Sequence, residues 1–101
     1  MNGLMMDMQL TLPMILRRAE MYWGDKEIVT RMPDRSFKRT NYRETMRRAR
    51  ALAVALKELG LERGDRVGTL CWNHHQHMEA YFGIPCGGFV LHTLNLRLHA
   101  N

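Results

Sequence analysis

The chain has 101 residues, 46% hydrophobic and 25% charged, with a formal net charge of +5. That length holds at most one domain with a modest core; the composition excludes a disordered chain, and two cysteines, Cys71 and Cys86, exclude a disulfide framework and suit a reducing compartment. The Met-rich start lacks the basic lead and apolar run of a secretory leader, and the most apolar stretch, 81–91, is too short to span a bilayer and is broken by Pro85, Gly87 and Gly88; a cytoplasmic location is expected.

Taken in chain order, the first predicted element is a helix capped by Thr11, with Pro13 tolerated in its opening turn. Leu12, Ile15, Leu16, Ala19 and Trp23 form its apolar stripe, and Gly24 stops it. "KEIVTRM" and "SFKRT" flank "PDR" and predict a β-hairpin in which Arg35 stands where Gly is common. A second helix opens on a capping box, Asn41 with Glu44, each side chain serving the other's backbone N–H. Tyr42, Met46, Ala49, Leu52, Ala53, Leu56 and Leu59 then recur at helical spacing, and Gly60 ends the run as a left-handed cap.

After a turn at "ERGD", "RVGTLCW" is nearly continuously apolar, the pattern of a strand buried on both faces. A third helix over 75–86 is bent or ended near Pro85, and "FVLHTLN" is a second buried strand. The fold class is therefore α/β: helix, β-hairpin, helix, then a right-handed parallel strand–helix–strand crossover pairing 65–72 with 89–95. One crossover helix cannot cover both faces of a parallel sheet, so the chain is expected to be an unfinished α/β domain.

The positive charge sits in Arg17–Arg18 and in Arg43, Arg47, Arg48 and Arg50, with Glu20, Glu44 and Glu58 interleaved. The second group is placed on the outer, solvated face of the second helix, and no aromatic residues alternate with the arginines to stack on bases, so no nucleic-acid partner is expected. There is no phosphate loop, dinucleotide fingerprint or nucleophile elbow. Gly87–Gly88 follows a helix instead of opening one, which suits a C-cap or close packing. "CWNHHQH" gathers Cys71, His74, His75 and His77, and His92 and His99 follow. His74 and His77 could share a helix face and a metal, but no second ligand pair has metal spacing, and a strand–helix junction is where exposed polar residues are expected; no metal site is assigned. Cys71, placed in an apolar strand, is a poor nucleophile beside these histidines. Glu79 is their one neighbouring carboxylate, too few for an acid/base pair, and Met5, Met6, Met8 and Met14 suit gap-filling packing.

Several stretches together, "GDRV", "WNHHQHMEAYF" and "VLHTLN" with "RLH", resemble the amino-terminal region of bacterial fatty-acyl-CoA synthetases of the medium- and long-chain branch, within the AMP-dependent, adenylate-forming superfamily. The resemblance runs from Gly3 to His99. Leu96 stands where the family usually has Pro, Ala100 replaces a second Pro, and Cys86 departs from a small residue, changes that touch local geometry only.

The resemblance implies that residues 1–101 are an incomplete amino-terminal part of the synthetase large domain. It implies a ligase that uses ATP, Mg²⁺ and coenzyme A to convert a fatty acid through an acyl-adenylate to an acyl-CoA. It places the phosphate loop, adenine motif, ribose-binding Asp and catalytic Lys downstream. Hence no catalytic, cofactor-binding or metal residue is assigned here, and no cofactor is expected to bind this stretch. The alternative is an inactive remnant acting as a protein-interaction module; homo-oligomerisation stays open.

Overall fold

A computed structural model describes residues 3–98. His99 and Ala100, named above in the family comparison, lie outside them. The elements follow one another as α1 (Leu12–Trp23), β1 (Glu27–Arg31), β2 (Phe37–Asn41), α2 (Tyr42–Glu58), β3 (Arg66–Thr69), α3 (His75–Cys86) and β4 (Val90–Thr93). β1 and β2 pair antiparallel, Glu27 opposite Asn41. β3 and β4 pair parallel, Arg66 opposite Val90 and Thr69 opposite Thr93, in a separate two-stranded sheet. The expected crossover is therefore present, with α3 between its strands.

Local chemistry explains most of the element ends. Asn41 Oδ1 accepts from Glu44 N–H at 2.9 Å and starts α2. The reciprocal half of the expected capping box is missing, because Arg47 draws the Glu44 carboxylate away through two contacts of 2.8 and 2.6 Å. α2 ends in a Schellman motif: Gly60 has φ +92°, Gly60 N–H donates to Lys57 O at 2.9 Å, and Leu61 N–H donates to Leu56 O at 3.2 Å. α3 ends the same way one residue past Pro85–Cys86, with Gly88 at φ +92° and Phe89 N–H donating to Ile84 O. The hairpin turn carries Arg35 at φ +69°, the left-handed position that Gly commonly fills. Asp34 Oδ1 fastens that turn by accepting from both the N–H and the hydroxyl of Ser36.

Two expectations about α1 need correction. Thr11 holds the cap position, but its side chain makes no capping bond. Of the predicted stripe, Leu16 is buried and Ala19 half-buried, whereas Leu12, Ile15 and Trp23 stay exposed, because α2 and α3 reach only the Leu16 side of the helix. Gly24 ends α1 as expected, in right-handed geometry. A Cβ there would meet Glu20 O at 2.7 Å and the Arg43 guanidinium at 2.8 Å, so space is what requires glycine.

The core lies between α2 and α3 and has two parts. Leu16, Met46 and Ala49 form one, flanked by Tyr42 and Phe82. Ala80, Ile84 and Phe89 form the other, flanked by Leu52, Leu56, Val67 and Leu91, which ties the sheet to the helices. The expectation that β3 and β4 are buried on both faces is not met among the described residues. Val67 and Leu91 turn toward the helices, while Leu70, Trp72, Val90 and Leu94 remain exposed, since the single crossover puts both helices on one face. Leu59, the last residue of the α2 stripe, is exposed at the helix end.

α2 and α3 approach at Gly83, where a Cβ would lie 2.6 Å from Ala49 O and 3.2 Å from Leu52 Cδ2. Alanine normally adds about 1 kcal/mol over glycine inside a helix. Here Gly83→Ala is expected to lower stability by about 1–3 kcal/mol through overpacking, seen as a lower denaturation midpoint at unchanged m-value. A raised midpoint would show that the helices do not meet this closely.

Candidate functional site

The chemistry-bearing residues gather at the amino-terminal end of α3. His74 is the N-cap residue, in extended geometry, and its Nδ1 accepts from His77 N–H at 3.2 Å. This use of histidine as a cap ties His74 to the backbone and separates it from the role of a metal ligand paired with His77. No group of three or more His, Cys, Asp and Glu among the described residues is arranged to hold a metal ion.

His75 and His77 are buried, contrary to the exposed junction expected of them. The His77 ring lies between Asn73 Oδ1, 3.3 Å from Nδ1, and Thr69 Oγ1, 3.3 Å from Nε2. Asn Oδ1 only accepts, so Nδ1 carries the proton and Nε2 accepts from the Thr69 hydroxyl. Tyr81 packs on the same ring at 4.9 Å between centroids. With both nitrogens engaged, His77 is not available as a base for Cys71, which lies just beyond β3, half-buried, on the cleft that His77 also lines. Burial pushes the other thiol, Cys86, above its ordinary range, which suits a packing role.

His75 is 6% exposed, and its Nε2 lies 3.1 Å from Lys38 Nζ, on β2 of the hairpin. An ammonium only donates, so Nε2 accepts and the ring proton sits on Nδ1; that nitrogen is buried without a hydrogen-bond partner. One turn on, Glu79 is buried and accepts from Arg48 Nε of α2 at 2.7 Å. Arg48 is thus not on a purely solvated face. Arg50 bonds Glu20 of α1 at 2.9 Å and holds that carboxyl below its usual range, and Arg43 pairs with Asp25 beside the hairpin. Three of the four arginines expected to point outward, Arg43, Arg48 and Arg50, act as cross-links between elements, because α2 is flanked by packed neighbours on more than one side, whereas Arg47 pairs with Glu44 on the exposed face of α2 itself.

Two clefts border this turn. One, of about 540 Å³, lies between β1 and α3 and is lined by Ile28, Thr30, His75, Met78, Tyr81 and Phe82 among others. The second, of about 490 Å³, lies beyond the carboxyl ends of β3 and β4, between Trp72, Asn73, Tyr81, Asn95 and Arg97. The ends of parallel strands are where open α/β sheets bind ligands. The sequence marked these histidines through their clustering; what it did not show was their separate partners Lys38, Thr69 and Asn73, which come from other elements or from the preceding loop.

The profile of the AMP-binding enzyme family matches residues 16–101, and the chain belongs to that family. It is 49% identical over 94 residues to a long-chain-fatty-acid–CoA ligase of Thermus thermophilus, covering 93% of this chain and 17% of that protein. It is 38% identical over 98 residues to a medium-chain-fatty-acid–CoA ligase of Ectopseudomonas oleovorans, covering 97% and 18%. Among solved structures it superposes on the anthranilate CoA ligase AuaEII in complex with anthranoyl-AMP, with a TM-score of 0.77, 25% identity, and 92% of this chain against 17% of that one. A Mycobacterium tuberculosis fatty acyl CoA synthetase gives a TM-score of 0.70 at 25% identity, over 86% and 17%. The chain thus spans less than a fifth of the length of these relatives. No helix among the described residues is long and apolar enough to cross a membrane.

Two measurements check the site. Arg48→Ala strands the buried Glu79 carboxylate and is expected to lower stability more than Arg39→Ala, which removes an exposed pair with Glu27; equal losses by chemical denaturation would contradict the burial difference. Calorimetric zinc titration should show no stoichiometric sub-micromolar binding, and such binding, lost in His74→Ala, would overturn the capping role.

Proposed function

We propose that the chain is the amino-terminal part of an ATP-dependent fatty-acid–CoA ligase acting in the cytoplasm, with the catalytic motifs carried beyond residue 101. The likeness to the Thermus thermophilus ligase across 93% of this chain carries the reading. The open face of the β3–β4 sheet supports it as well. Trp72 and Leu70, each 67% exposed, stand with Val90 and Leu94 on a surface that a complete α/β layer would cover. Both cysteines are free, as a reducing compartment favours.

In the proposed reaction a fatty carboxylate oxygen attacks the α-phosphorus of ATP and pyrophosphate leaves, giving an acyl-adenylate. The coenzyme A sulfur then attacks the acyl carbon, loses its proton, and expels AMP. Two steps are needed because a carboxylate is a poor electrophile until its oxygen belongs to a good leaving group. The residues described here do not fit Mg²⁺, since no acidic or histidine group among them has a metal-holding arrangement. Nor does a glycine-rich loop open either helix flanking the parallel strands. No step is therefore assigned to a residue of this chain; its part is to build the first strands and the α2–α3 layer of the larger domain.

The alternative, an inactive remnant that binds a protein partner through the same open face, makes a different prediction for the gene: no reading frame continuing past Asn101 into a Ser/Thr/Gly-rich loop. For the chain itself, purified residues 1–101 are expected to form no acyl-CoA from fatty acid, ATP and coenzyme A, and to elute as self-associated species in size-exclusion chromatography. Acyl-CoA formation would overturn the placement of the chemistry elsewhere. A sharp monomer with a cooperative melt would overturn the unfinished-domain reading.

A further inference from the structure

The contact between Lys38 and His75 is the one place where a side chain of the hairpin reaches the buried end of α3 through a hydrogen bond among the described residues. His75 is also a wall of the 540 Å³ cleft between β1 of the same hairpin and α3. The arrangement holds only for a neutral imidazole: Nε2 must offer a lone pair to the Lys38 ammonium. We propose that His75 is a pH-sensitive latch, which docks the β1–β2 hairpin on α3 while neutral and releases it, opening the cleft, when protonated.

The charged surroundings favour release over accommodation. Lys38 faces His75 from β2 and Arg48 from α2, while Arg31 of β1 lines the same cleft. On α3 itself, His74 adjoins it and Glu79 is the single carboxylate near it, already engaged by Arg48. A protonated ring would carry a second donor toward Lys38 and a charge into a site 6% exposed, with no free anion to receive it. Burial first, and the Lys38 charge second, hold the His75 pKa below its ordinary value. In the undocked state the ring titrates near that ordinary value, about 6.5. The undocked state therefore takes up the proton first. Docking is complete above about pH 6.5 and weakens as pH falls below it.

Hydrogen-exchange mass spectrometry on the full chain tests this, corrected at each pH for intrinsic exchange, alongside the slow imidazole C–H exchange that reports each histidine's pKa. Between pH 7.5 and 5, protection of the hairpin peptide 27–41 is expected to fall at least threefold relative to the α2 peptide 45–56, and His75 to titrate below the ordinary histidine value. His75→Gln keeps an oxygen acceptor for Lys38 but no titration, and should make hairpin protection independent of pH. Lys38→Met should raise the His75 pKa toward the ordinary value. The latch is overturned if His75→Gln retains the wild-type pH dependence, or if wild-type His75 titrates at or above the ordinary histidine value. Should His75→Gln not fold, the wild-type and Lys38→Met histidine titrations decide alone, and an unchanged His75 pKa in Lys38→Met overturns the proposal.

Discussion

The close approach of α3 to α2 sets the position of nearly everything else. Gly83 presents no Cβ, so the backbone of α3 rests against the carbonyl of Ala49, and Gly87 repeats the arrangement against the Ala53 methyl one turn later. Contacts in the order Arg48–Glu79, Ala49–Gly83 and Ala53–Gly87 show the two helices running in the same direction. Parallel helices at this spacing leave Met46 and Ile84 almost wholly enclosed, although the side chains between them are small. They also bring two long polar side chains, Arg48 and Glu79, to bonding distance on the amino-terminal side of the Ala49–Gly83 contact.

That same end carries a cost in unmatched polarity. Thr45 Oγ1 on α2 and His75 Nδ1 on α3 are both buried without a partner. Buried polar atoms of this kind are uncommon, and each removes about 1–3 kcal/mol relative to a satisfied group. The opposite end of the helix pair is tightly satisfied. There the Schellman turn after α3 and the turn before β3 are joined through Gly64 N–H donating to Gly88 O at 2.9 Å, followed by Val90 N–H to Asp65 O at 2.8 Å. Two glycine turns with positive φ thus fix the register in which β4 lies beside β3. The α3 layer is firm at its carboxyl end and polar, with unspent hydrogen-bonding capacity, at its amino end.

Much of this was readable along the chain. The α2 stripe, the left-handed Gly60, the strand–helix–strand order and the hairpin all depend on neighbours within a few residues. So did the cap by Asn41, though not the loss of its partner Glu44, which has Arg47 as a closer claimant. The family likeness was legible for the same reason, since "GDRV" and "WNHHQHMEAYF" encode turns and a helix face in unbroken stretches.

What the sequence determined by itself was the set of elements, their order and the parallel crossover, because periodicity, capping and glycine geometry act over one or two turns of chain. What only the tertiary structure decided was the use of each polar side chain and the reach of each apolar face. Arg48 looked solvated until α3 brought Glu79 beside it, His75 looked exposed until the hairpin laid Lys38 across it, and Ile15 and Trp23 looked buried although no described element covers them. Burial and pairing depend on residues 30 or more positions apart meeting in space, and a pattern with a period of two to four residues carries no record of that meeting.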